Sequence, residues 1–411
     1  MSGSIILAPR LFVYFLIAIC PAISVFSEEL EPINNALNLF GVVNIAIFFG
    51  SVINIIFHLN IYKRSLDKLK FFILFIVLVI LNICIVGFDL IVIATNLIWF
   101  ANLVFIAIIS KNNFTHPTQL RVLLYVVIVS SAIYSLFALY DFAFQSTYVD
   151  SGDSQDRIGS LFFKNSNELS LYSIITFGIS FTIFKVSSDV FEKYFVFICM
   201  FIIGSVIFLT FSVSGWLSAI VFFVARKFVR VNLKSLIWTV FLVAGVLGVM
   251  YLIDFTAFLP ERISGGGTSS VRLILIWPAA IELIFAQPWL GYSPTYSAEY
   301  LSEIAGDNVV STHNIFLGLL LNYGFLGLGV LIWFFFALNR QLLNLCDHKQ
   351  STPIVKELAL TLVALSFAVI VYGAGHNVDL SLRHTIILWS VSWATLAFLP
   401  VSQSLKIKLR K

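Results

Sequence analysis

Two side chains within residues 271–329 have types and spacing suited to chemistry. Arg272 opens the run V-R-L-I-L-I-W-P-A-A, and His313-Asn314 precedes I-F-L-G-L-L-L-N-Y-G-F-L-G-L-G. A guanidinium binds phosphate oxygens in pairs, and a neutral imidazole accepts the proton of an attacking hydroxyl. His313 is expected in the first turn of a helix capped by Ser311 or Thr312. There the positive end of the helix dipole disfavours the imidazolium and keeps the ring neutral. The pattern H-N-x9-G-x-x-G sets Gly324 close to three helical turns from His313. Both are therefore expected on one face, with Gly324 and Gly327 admitting a close neighbour.

Around this pair stand Arg157, Lys164, Arg262 and Arg383, together with His376 and His384. Each has a plainer reading. Lys164 and Arg262 fit solvated loop charges, and Arg157 fits an ion pair with Asp153 or Asp156. Arg272 fits a side chain snorkelling to a membrane surface. His376 and Arg383 fit a short turn, and His313 fits a helix-end histidine with satisfied hydrogen bonds.

The elements that must position these residues follow from composition. The 411 residues are 60% hydrophobic and 11% charged, with a mean hydropathy of +0.99. A soluble domain carries about 25% charged residues. The fold class is therefore an all-α polytopic membrane protein. Apolar segments long enough for a hydrocarbon core lie at 11–26, 39–58, 71–88, 91–110, 122–144, 169–186, 194–211, 214–225, 235–253, 313–336, 355–374 and 384–400. About twelve spans are expected, although 194–211 and 214–225 also fit one bent element, which would leave eleven. The chain divides into an N-terminal bundle at 1–253, a large loop at 254–312 and C-terminal helices with a basic tail at 313–411. A helix over 271–285, capped by Ser269 or Ser270, is expected to lie along the interface.

With twelve spans, most of the 25 lysines and arginines fall on the side of the termini, and most of the 21 acidic residues fall on the other. The positive-inside rule then makes both termini cytoplasmic and the loops at 145–168, 254–312 and 373–384 external. The formal net charge of +4 is an orientation signal and gives no support for nucleic-acid binding. The four cysteines form no C-x-x-C pattern or His/Cys cluster, so no metal site is expected. Residues 11–26 read as a first span without a cleavage site. A transporter would place charges deep within several spans to line a path, whereas here they sit at span ends and in loops.

The R-x4-W helix, the P-W-L-G turn and the H-N-x9-G-x-x-G pattern resemble those of the O-antigen ligase and O-antigen polymerase superfamily of bacterial inner-membrane glycosyltransferases. That resemblance implies transfer of a glycan from undecaprenyl pyrophosphate to an acceptor sugar hydroxyl at the periplasmic face, with inversion and without a metal or cofactor. His313 matches the family's base and Arg272 its pyrophosphate contact. Asn314, Arg157, Arg383, His376, Lys164 and Arg262 are the further candidates for substrate binding. Many members carry a second arginine where this chain reads Ser212-Val213-Ser214-Gly215-Trp216; valine stands in that place, and Arg157 is expected to supply the contact. For a ligase the acceptor is lipid A-core, and for a polymerase it is a second lipid-linked glycan. The intact H-N-x9-G-x-x-G pattern favours the ligase.

Overall fold

The computed structural model describes residues 9–19, 107–144, 166–228, 275–305, 311–375 and 383–398, with isolated helical positions between 49 and 84. Among these every regular element is helical. The helices are α1 (Pro9–Ile19), α2 (Pro117–Ala143), α3 (Ser166–Val186), α4 (Val190–Leu209), α5 (Val213–Phe228), α6 (Trp277–Ala286), α7 (Ser293–Ala305), α8 (Ile315–Asp347), α9 (Pro353–Gly375) and α10 (Arg383–Leu396). Five of them, α2, α3, α4, α8 and α9, are long and apolar enough to cross a membrane. The expected spans at 39–58, 71–88, 91–110 and 235–253 lie wholly or mostly outside the described residues.

Local chemistry sets the helix ends. Pro117 starts α2 where a missing N–H costs nothing, and Gln119 folds back to accept from the backbone N–H of Thr115 and His116. Asp189 caps α4 by accepting from the Phe191 N–H, so α3 reverses into α4 within three residues. Hydroxyls then tie neighbouring helices inside the apolar bundle. Ser131 donates to Thr176 at 2.6 Å, and Thr182 donates to Thr361 at 2.7 Å, as suits a lipid environment in which apolar contact alone gives little drive to associate.

Helices α3 and α9 form the centre, each with 72% of its spanning window buried, against 33% for α4 and 28% for α8. The direction of each helix follows from its contacts. A Cβ at Gly178 would meet Phe222, and one at Gly215 would meet Ser170, so α5 runs with α3 and against α4. The two segments that also fitted one bent element are thus separate helices of opposite direction. They are joined by a turn at Thr210–Ser212 in which Phe211 has φ 47°.

One end of the bundle gathers cations. Arg121 and Tyr125 meet Glu192, Arg226 is buried against Glu357 and Thr361, and Lys349 and Lys356 flank the α8–α9 turn. At the other end lie Phe144, Ser166, Ser212, Asn314 and Gly375, which flank or precede the segments expected to be external. The described part of the chain therefore shows the charge segregation expected from its loops.

Helix α8 departs from the single span expected at 313–336. Its tip and tail both touch α9: Asn314 donates to the Ala374 carbonyl at 2.9 Å, and Cys346 approaches the Lys356 carbonyl at 3.6 Å. Between those contacts α9 rises about 27 Å, whereas α8 would measure about 48 Å if straight. The excess is absorbed at Gly324, whose φ 64° and ψ −169° break the helix. Residues 325–347 run beside α9, while the half-helix 315–323 turns aside to pack with α6 and α7. There Leu321 joins Ile276, Ala279, Ala280, Leu283, Ile284 and Leu301 in a second, smaller core. Gly324 therefore shares no continuous helical face with His313.

Candidate functional site

Two small-residue turns fit into one another and define this cap. Gly291, the last residue of P-W-L-G, has φ 68°, and a Cβ there would lie 2.5 Å from the Leu321 carbonyl oxygen. A Cβ on Gly324 would overlap the Trp289 carbonyl and lie 2.5 Å from the Leu290 nitrogen. Three backbone hydrogen bonds close the clasp: Tyr292 N–H donates to Leu321 at 2.8 Å, Phe325 N–H to Pro288 at 2.8 Å and Leu326 N–H to Trp289 at 3.3 Å. The loop carbonyls thus replace acceptors that the broken helix cannot supply. The spacing of the glycines records this clasp. Gly327 does not admit a second element, since a Cβ there would run into Tyr323 of its own helix.

The clasp and the bundle meet at His313. The helix cap is Asn314, one residue later than Ser311 or Thr312: its Oδ1 accepts from Phe316 and Leu317 N–H at 2.9 and 3.2 Å, and its Nδ2 holds Ala374. His313 is therefore not in the first turn; it is the residue before the cap. Its side chain is half-buried and its backbone is left-handed, with φ 49°, a conformation that histidine adopts more readily than most residues. On its other side, the Thr312 carbonyl accepts from the Trp277 indole N–H at 3.0 Å. Trp277 sits at the start of α6, after a π-type turn at 275–276. Residues on both sides of His313 are thus pinned, one to α6 and one to the end of α9. Asn314 is committed as cap and brace rather than open to a ligand.

The turn of residues 212–216 arrives at the same place. Ser212 Oγ accepts from the Gly215 N–H at 3.2 Å, and the Trp216 indole latches back to the Ile207 carbonyl at 3.1 Å. A Cβ on Gly375, next to Ala374, would lie 3.5 Å from Ser214. Val213 is 38% exposed, so the position at which the resemblance expects an arginine opens outward near His313, separated from it by the last turn of α9. Beside it the Tyr372 hydroxyl donates to the Asn167 carbonyl at 2.5 Å, with Glu168 and Ser212 flanking it. Residues a hundred positions apart in the chain converge here. The three non-glycine residues with positive φ among those described, Phe211, Ser293 and His313, all belong to this end, where strain of about 1–3 kcal/mol each persists only if the surroundings enforce it.

Residues 198–334 match the family model described as O-Antigen ligase. This segment is an O-antigen ligase family domain. The match takes in the α4–α5 turn, the α6–α7 cap, the clasp and His313. No curated protein matches the chain.

Within the O-antigen ligase domain, Arg262 and Arg272 lie outside the described residues. So do Arg157, Lys164 and His376, which fall beyond the matched segment. Arg383 is the first residue of α10, and its side chain is also outside what is described. The loops that carry Arg157, Lys164 and His376 leave and re-enter the structure at the His313 end, through Phe144, Ser166 and Gly375. Sequence reasoning passed over Trp277 as a positioning group, although it is the tryptophan of R-x4-W. It also passed over Tyr372, Glu168 and Ser212, whose grouping depends on helix packing alone.

Proposed function

We propose that the protein is an O-antigen ligase that moves a glycan from a lipid pyrophosphate to a sugar hydroxyl at the membrane face bearing His313, which positive-inside orientation makes periplasmic. The supporting observation is the pinned, left-handed His313 at the junction of bundle and cap, inside the O-antigen ligase segment. In this mechanism His313 takes the acceptor hydroxyl proton as that oxygen attacks the anomeric carbon. The bond from that carbon to the phosphate oxygen breaks on the opposite face, and the electron pair leaves with the pyrophosphate. The configuration inverts. A pyrophosphate leaves readily once its charge is held, so arginines contribute more than an acid would. Arg272 is assigned that contact, with Arg157, Arg383, Lys164, Arg262 and His376 as further candidates to line the donor site. Trp277 and Asn314 act by fixing the backbone of Thr312 and Asn314 on either side of the histidine.

His313→Ala is expected to insert normally and abolish transfer; near-normal transfer would make the motif a packing feature. Deleting the gene is expected to leave full-length polymer on undecaprenyl pyrophosphate and bare core on the lipopolysaccharide. Core bearing a single repeat unit would establish the polymerase instead, with a second lipid-linked glycan as acceptor. Polymer trapped on the cytoplasmic face would establish a transporter.

A further inference from the structure

Helix α6, within the interfacial helix expected at 271–285, carries apolar side chains on both sides, with one exposed charge, Glu282, on the open side. One side, Ala279, Ala280, Leu283 and Ile284, is buried in the cap. The other presents Ile281 at 43%, Phe285 at 75% and, just past the helix, Trp289 at 67% exposure. Large apolar side chains this exposed opposite a buried apolar face call for an apolar surrounding on the open side as well. Its partner is indicated by what adjoins it. The Trp289 ring stands 6.4 Å from Phe325 in an edge contact, and Phe325 and Leu326 open the spanning half of α8. That half continues outward-facing through Ile332, Trp333 and Phe336. The exposed apolar surface therefore runs from a membrane-spanning helix onto the tip of the cap. Helix α7 is more polar, since its open side sets Glu299 and Glu303 beside Tyr300 and Ile304. The one charge on α6, Glu282, is exposed between Ile281 and Phe285, and its flexible side chain must reach up to the headgroup level when its neighbours face the acyl chains.

We propose that the α6–α7 hairpin is seated in the bilayer, with Ile281, Phe285 and Trp289 in the acyl region of the leaflet on the His313 side and Glu299 and Glu303 in water. The occupant of the apolar face is lipid hydrocarbon. Aromatic residues at such a boundary anchor an element at fixed depth, and the clasp transmits that depth to the half-helix that starts beside His313. The site is thereby held at the membrane surface, where a lipid-borne substrate presents its polar head. Seating depends only on the membrane character of the chain, so it stands or falls separately from the role of His313.

The test places single cysteines at 285, 289 and 303 in full-length protein whose native cysteines are replaced by alanine, reconstituted in phosphatidylethanolamine–phosphatidylglycerol vesicles and labelled with a nitroxide. Labels at 285 and 289 are expected to collide with oxygen in preference to a water-soluble nickel chelate, as a label at lipid-facing Phe201 does, while the label at 303 shows the reverse. A second measurement works in intact spheroplasts. Phe285→Cys should resist an impermeant maleimide until detergent is added, and Glu303→Cys should react at once. Ready reaction of Phe285→Cys in the membrane would overturn the seating. So would protection that persists in detergent, since protein and not lipid would then cover the face.

Discussion

Gly324→Ala attacks the clasp at its tightest point. The backbone at φ 64°, ψ −169° lies in a region that is essentially glycine-only, at a cost of about 1–3 kcal/mol for another residue. The new methyl would also meet the Trp289 carbonyl and the Leu290 nitrogen, which are backbone atoms that cannot rotate away. Relief requires the turn to lift, which breaks three backbone hydrogen bonds at about 1 kcal/mol each. The total is on the order of 4–6 kcal/mol, enough to undock the cap while the bundle stays folded. Five residues on, Gly329 is helical and exposed, and a Cβ there meets nothing within 4 Å. Gly329→Ala should therefore gain about 0.5–1 kcal/mol through helix propensity. The two variants, matched in chemistry, are compared by thermal unfolding of the purified protein in detergent and by glycan transfer in cells. Gly324→Ala should lose transfer and show an early unfolding step, and Gly329→Ala should do neither. Equal tolerance of both would refute the clasp as the reason for the glycine spacing.

Asn314 separates capping from bracing. Asn314→Ala should cost about 0.5–2 kcal/mol as a lost cap. Asn314→Asp keeps the acceptor for Phe316 and Leu317 but removes the donor to Ala374, so stability should largely survive while transfer falls. Glu357→Ala should destabilise by about 3–5 kcal/mol because it leaves Arg226, packed 4.8 Å from the Phe181 ring, buried without its partner. Replacing both with apolar residues should cost less in the same unfolding assay. If Arg272 holds the pyrophosphate, Arg272→Ala should slow transfer on the order of 10²-fold and Arg272→Lys should restore little, having the charge without the fork. Full activity in Arg272→Lys would reduce the residue to a surface charge.

Composition and loop charge are sums over many residues, and they sufficed to establish a helical membrane protein whose cations gather at one end. Local spacing also marked the residues of the cap, because histidines are few in so apolar a chain, six in 411 residues. Their roles were decided elsewhere. A twelve-residue pattern from His313 to Gly324 reads as three turns of helix, since nothing in it shows that Gly324 is packed against the carbonyl of Trp289, thirty-five residues earlier. The cap moved from Ser311 or Thr312 to Asn314 for a similar reason: Ala374, at the end of another helix, needed a donor. Helix α6 was expected along the interface, but which of its apolar residues are buried in the cap and which stay exposed beside Glu282 follows only from its packing. Val213, Ser214 and Tyr372 are brought to the end of α9 near His313 only by the packing of α3, α5 and α9. Periodicity along one strand of chain carries no information about which other strand completes it, and at this site the completing groups are backbone carbonyls, which every residue possesses and no sequence pattern reveals.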